Sequence, residues 1–158
     1  MYNSYLKIKK VNTGKGVFTE VDIPSQSPIL EISGDLFTGW ADNVDYLQIN
    51  NKNYKKLSGG IEDHIRHNCD PNCYVYAVGN RAIIYSLYVI KKGSEITFDY
   101  STTSTERLDQ WQMECKCNSY KCRKLISGFG TLSKELQEEY RKKGIVPLYI
   151  TDNRFKGE

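Results

Sequence analysis

Nowhere does the 158-residue sequence contain a run approaching the roughly 18 consecutive apolar residues that a membrane-spanning helix requires. The opening stretch MYNSYLKIKKVNTGKG has neither an apolar core region nor a small-residue cleavage site, so no export address and no membrane partner are expected. The expected location is cytoplasm or nucleus, and a host nucleus if the source is a bacterium or a virus. Internal repeats and low-complexity tracts are missing, which excludes solenoids and Pro- or Gly-rich linkers. Net charge is only +3, and the basic residues come as dispersed pairs such as Lys9-Lys10, Lys55-Lys56 and Lys142-Lys143, a distribution that argues against direct nucleic-acid binding. The five cysteines are an odd count with no export signal, which argues against a disulfide scaffold and for reduced thiols or a metal.

What is present suits one compact unit of about 150 residues, with room for a small appendage. Short runs rich in β-branched and aromatic residues predict strands at Tyr5 to Lys9, Val17 to Val21, Ile29 to Ile32, Tyr46 to Ile49, Tyr74 to Val78, Ala82 to Leu87 and Glu95 to Phe98. Gly79-Asn80, a two-residue link with Gly first, predicts a type II′ hairpin, and Lys92-Gly93 marks a second turn. After Ser101 the character changes to a polar stretch and then a cysteine cluster. Ser133 is placed to cap a helix over about 133–143, with Glu135 in its first turn, Arg141, Lys142 and Lys143 in its last, and Gly144 as its stop.

Cys115, Cys117 and Cys122 follow C-x-C-x4-C, which brings three soft thiolates within reach of one ion. A closed zinc site needs a fourth ligand, and Cys69, Cys73, His64 and His67, all within DHIRHNCDPNC, are the candidates. Five buried thiols without metal are the alternative. A catalytic zinc or a Cys/His nucleophilic pair lacks the spacing of a base or of a third orienting group.

Four signals then occur in order: Gly14-Lys15-Gly16-Val17-Phe18, His67-Asn68-Cys69-Asp70-Pro71-Asn72, Gly93-Ser94-Glu95-Ile96-Thr97-Phe98-Asp99-Tyr100, and the C-x-C-x4-C cluster. Over residues 5 to about 127 the chain resembles the SET-domain protein lysine methyltransferases with a post-SET zinc module. The resemblance implies a mostly β fold of small sheets with a pseudoknot crossing near the active site, a SET domain at 5–101, a post-SET module at 111–127, and a C-terminal extension at 128–158. It implies S-adenosylmethionine as cofactor, bound by Gly14, Lys15, Gly16, Arg66, His67 through its backbone, and Tyr100. It also implies Tyr100 as the catalytic tyrosine, Tyr46 as a channel tyrosine, and Phe98 as the residue that sets product number, with room for di- or trimethylation. Structural zinc would be held by Cys69, Cys115, Cys117 and Cys122, leaving Cys73 spare. The substrate would be a lysine in a protein or peptide segment, a histone tail among them. No feature specifies an oligomeric state.

The match departs from the family pattern at three positions. Arg66 and Asn68 stand where the family has Asn and Ser, and Ile32 replaces a channel tyrosine. An arginine can pair with the cofactor carboxylate bidentately and so bind it by another route. A non-catalytic SET-like module that binds a peptide or serves as a scaffold is the alternative function.

Overall fold

The computed structural model describes residues 4–39, 46–105 and 111–151. In chain order the elements are β1 (Leu6–Val11), β2 (Gly14–Thr19), β3 (Pro28–Glu31), β4 (Leu36–Thr38), β5 (Tyr46–Gln48), β6 (Asn53–Lys56), β7 (Arg66–His67), β8 (Cys73–Val78), β9 (Arg81–Ser86), β10 (Glu95–Phe98), β11 (Met113–Glu114), β12 (Leu125–Ile126), α1 (Lys134–Lys142) and the one-turn α2 (Leu148–Thr151). These strands reach at most six residues. Each sheet is therefore too small to enclose a core, and several must share one.

They do so as four sheets with strand orders β1-β2-β10-β7, β3-β9-β8, β4-β6-β5 and β11-β12. Along β9 the pattern alternates, with Ala82, Ile84 and Ser86 inward. Val17, Ile29, Ile84 and Ile96, from four different strands, meet in the largest core cluster at 1% exposure or less. Each such side chain contributes about 1.5–3 kcal/mol by leaving water. The β8–β9 hairpin turns at Gly79, φ 57°, while Asn80 stays out of the left-handed region, as a type II′ turn requires. The seven predicted strands are all present: Glu95–Phe98 has the predicted bounds, and the ends of the others differ by up to three residues. The strand β6, with its Asn and two lysines, was not expected; it forms because it lies between β4 and β5 and pairs with both.

One crossing positions the site. The two-residue β7 runs parallel to β10, with Thr97 opposite Arg66 and Phe98 opposite His67. The Asn68 amide donates to the Phe98 carbonyl at 3.1 Å. The Asn72 side chain donates to Glu95 O at 2.7 Å and accepts from Thr97 N at 3.0 Å, so the segment that follows β7 is pinned along β10.

The C-terminal helix begins and ends as expected: Ser133 Oγ accepts from Leu136 N at 3.2 Å, and Gly144, φ 66°, closes it. Its Tyr140 packs with Phe129, Leu132, Ile145, Tyr149 and Ile150 beneath Leu87. Among the described residues no helix is long and apolar enough to cross a membrane.

Candidate functional site

Strand β10 ends at Phe98, and Asp99 starts a single 3-10 turn over Tyr100–Thr102 by accepting from Ser101 N. Tyr100 thus leaves the sheet beside the crossing. Its amide donates to His67 Nδ1 at 3.1 Å, and its hydroxyl donates to Ile65 O at 2.7 Å. Its ring lies 4.9 Å from that of Phe98 and 5.4 Å from the His67 imidazole. Burial pushes the phenol pKa up to about 12, so Tyr100 is neutral and its proton is committed to the Ile65 carbonyl.

Beside it opens a pocket of about 110 Å³ lined by Tyr46, Tyr54, Phe98, Tyr100 and Trp111, and also by Ile32. The pocket therefore joins the three residues expected to form the channel, Tyr46, Phe98 and Tyr100. Tyr54 and Trp111 add two further rings to the lining.

On the other side of β10, the β2 strand carries Gly14, Lys15 and Gly16. Gly14 has φ 126°, a conformation that favours glycine. At Gly16 the requirement is space, because a Cβ there would fall inside contact distance of Glu95 Oε1 and 3.0 Å from Glu95 Cδ. Glu95 holds that position through Arg66, whose Nε and Nη2 donate to its two oxygens at 2.6 and 2.7 Å; Nη1 reaches Thr13 Oγ1. Arg66 thus stands beside the Gly14–Gly16 segment, with its planar fork occupied by Glu95. Lys15 is exposed on the first hairpin.

The cysteine loop is framed by the β11–β12 ladder and by a hydrogen bond that the Cys115 backbone N–H donates to Lys124 O at 2.7 Å. Asn118 and Lys124 adopt positive φ, 58° and 66°, which folds the loop tightly. One donor atom from each of His67, Cys69, Cys115 and Cys117 lies within 4.8 Å of the others. Cys122 packs against this group, its Sγ 3.6 Å from Cys115 O. Burial pushes the Cys69 thiol up to about 11 and raises that of Cys115. Burial acts the same way on Cys117, yet amide donors from Cys69 and Ser119 bring it down to about 7. Soft sulfur donors crowded on a tight loop are what zinc takes, and these residues fit it. Cys73 lies in the main core, its pKa pushed up to about 12 by burial, and His64 is outside the group.

His67 belongs to both parts of the site. Its Nδ1 accepts the Tyr100 amide, and its Nε2 is 3.1 Å from Cys69 Sγ. Burial holds its pKa down to about 4 against the pull of Asp99, so the ring is neutral. A neutral imidazole that accepts at Nδ1 carries its hydrogen on Nε2, which here points at sulfur.

The motifs did not reveal the Arg66–Glu95 pair, the Trp111 and Tyr54 walls, or the contacts of Asp99 with Arg123 and Tyr140. Glu95 and Asp99 were legible only as motif letters, and Arg123 only as the neighbour of a cysteine.

The SET domain family model matches residues 14–101, from the first glycine to the residue after Tyr100. Human histone-lysine N-methyltransferase 2D is 28% identical over 143 residues, covering 79% of this chain and 2% of that protein. The Saccharomyces cerevisiae histone-lysine N-methyltransferase, H3 lysine-4 specific, is 36% identical over 73 residues, covering 44% of this chain and 7% of its own length. The chain thus spans only a small part of the curated relatives it matches. A crystal structure of KRYPTONITE in complex with mCHH DNA, H3(1-15) peptide and SAH superposes with a TM-score of 0.63 and 22% identity, covering 77% of this chain and 29% of that one. That likeness speaks for the fold. With the family match spanning more than half of the residues, this chain belongs to the SET-domain family.

Proposed function

We propose that the chain is an S-adenosylmethionine-dependent protein lysine N-methyltransferase acting on a histone tail. The observation that carries this reading is the single aromatic pocket in which Tyr46, Phe98 and Tyr100 converge, one strand away from the Gly14–Gly16 loop. The relatives named as histone-lysine N-methyltransferases support the activity, and a histone substrate would place it at chromatin.

When bound, the cofactor supplies an electrophilic methyl group on a sulfonium centre. The Gly14, Lys15 and Gly16 backbone, Arg66, the His67 backbone and Tyr100 are the residues that would hold it. The protein's own part is positioning and desolvation. Rings around the channel strip water from the entering lysine, which disfavours the ammonium and lowers its pKa, so the amine arrives with its lone pair free. Their π faces stabilise positive charge. Because the Tyr100 hydroxyl has given its hydrogen to Ile65 O, its lone pairs remain as acceptors beside the reacting groups. Phenylalanine at 98 brings no hydroxyl and no bound water to crowd the amine, which leaves room for di- and trimethylated products.

The zinc reading places Cys115, Cys117 and Cys122 of a module at 111–127, together with Cys69 from the SET domain at 5–101, on one structural ion, with 128–158 as an extension. It is supported by the three clustered sulfurs of Cys69, Cys115 and Cys117, by Cys122 packed against them, and by the Arg123 amide directed at Cys69 Sγ at 3.4 Å. His67 in place of Cys122 is the second arrangement, favoured by its ring nitrogen lying within the cluster. The hydrogen on Nε2 supports the four-sulfur set, with His67 as a donor to a ligand.

The occupied fork of Arg66 and the isoleucine at 32 favour one competing function, a SET-like module that binds a peptide without chemistry. The test is incubation of the protein with methyl-labelled cofactor, core histones and nuclear lysate, beside Tyr100→Phe. Label on a lysine with the unmodified protein and at least a hundredfold less with the variant is expected. Titration calorimetry showing no cofactor binding at millimolar concentration overturns the reading and favours the peptide-binding module.

A further inference from the structure

The Asp99 carboxylate is fully buried and joins three segments far apart in the chain. Arg123 grips it with both Nη atoms, at 2.7 Å to Oδ2 and 2.8 Å to Oδ1, and Arg123 Nη2 also reaches Ser101 Oγ at 3.1 Å. Tyr140, from α1, donates to Oδ2 at 2.9 Å. The Ser101 amide donates to Oδ1 at 3.0 Å, and His67 Nδ1 lies 3.5 Å from it. Burial alone would lower the Arg123 pKa; the bonds to Asp99 more than reverse this, so the cation is secure.

We infer that Asp99, Arg123 and Tyr140 form a buried latch by which the cysteine loop and the C-terminal helix hold Tyr100 in place. Three facts converge on it. Asp99 immediately precedes Tyr100, so fixing its carboxylate at four donors fixes the backbone from which the tyrosine departs. Arg123 immediately follows Cys122, and its own amide donates to Cys69 Sγ, so the loop cannot shift without dragging the guanidinium. Tyr140 comes from a helix that lies outside the 14–101 match and is anchored by its own apolar cluster. A buried ion pair adds little net stability over an apolar replacement, but it admits one geometry. The latch makes Arg123 and Tyr140 positioning residues and makes α1 part of the working unit. Its kinetic consequence rests on the methyltransferase reading; its structural consequence does not.

The experiment compares Arg123→Lys, which keeps charge and loses the fork, and Tyr140→Phe, which keeps the ring and loses the hydroxyl, with Lys142→Gln as a surface control. Hydrogen exchange is followed by mass spectrometry on the zinc-loaded chain, together with kcat and KM on histone H3. Protection across 99–102 falls about tenfold in Arg123→Lys and about fivefold in Tyr140→Phe, while the β8–β9 hairpin is unchanged. In Tyr140→Phe the cysteine loop also loosens, since the Tyr140 hydroxyl bears on Arg123 as well as on Asp99. Values of kcat fall by similar factors with KM nearly constant. Wild-type protection at 99–102 in both variants, or a loss spread equally over the whole chain, overturns the latch. If the unmodified protein methylates nothing, the activity reading fails, and exchange still decides the latch.

Discussion

Gly16→Ala isolates one steric relation on which the glycine loop depends. The φ of Gly16 lies outside the left-handed region, so alanine is unstrained there and the cost is what the new methyl meets. It meets the Glu95 carboxylate, with Phe18 Cε2 at 3.3 Å behind it. Glu95 cannot swing aside without breaking its two bonds to Arg66 at 2.6 and 2.7 Å. Overpacking of this kind costs about 1–3 kcal/mol. The ion pair, whose side chains are 33% and 20% exposed, adds at most about 1 kcal/mol after solvent screening. At about 2–4 °C per kcal/mol for a chain of this size, the melting temperature should fall by about 2–16 °C. Scanning calorimetry on the zinc-loaded protein measures this. The decisive comparison is the same substitution in a Glu95→Ala background, where its cost should drop below about 0.5 kcal/mol because the obstacle is gone. Equal costs in the two backgrounds would refute the steric account.

Phe98→Tyr should shift the products on histone H3 toward monomethyl-lysine, read by mass spectrometry at saturating cofactor; an unchanged proportion of trimethylated product counts against the role of position 98. In the native zinc-loaded protein Cys73 should resist iodoacetamide at pH 8, since burial keeps its thiol protonated, whereas chelation should lower the melting temperature and open the cysteines at 69, 115, 117 and 122 to alkylation. Rapid labelling of Cys73 before chelation contradicts its placement. Stability should decline in alkali: Tyr149 donates its hydroxyl to Gln48 O and Thr103 O, and burial raises its pKa as it raises that of Cys73. Both groups hold their protons longer folded than unfolded, so each contributes stability that is complete below about pH 8.5 and is lost at about 1.4 kcal/mol per pH unit above its unfolded pKa. A flat urea midpoint between pH 8 and 11 would contradict the burial of both.

Strand after strand was legible because a half-buried strand writes its exposure into alternate residues, as Ala82, Ile84 and Ser86 do, and because the Gly79-Asn80 turn has few backbone solutions. The helix at 134–142 was legible from its cap and stop for the same reason: the signal lies within a few residues of the event. The short motifs also singled out Tyr100 and Phe98, and the family resemblance singled out Tyr46; the structure lines one pocket with all three. Local sequence has no comparable way to record an encounter between distant residues. Arg66 meets Glu95 across 29 positions and Asp99 meets Tyr140 across 41, and nothing near either residue names its partner. The polar β6 became a strand only because two others flank it. Which nitrogen of His67 faces sulfur depended on where the Tyr100 amide came to rest. The sequence by itself determined the inventory of strands, turns, thiols and rings. Tertiary structure alone decided who touches whom, because those contacts are set by the packing of four small sheets around a shared core.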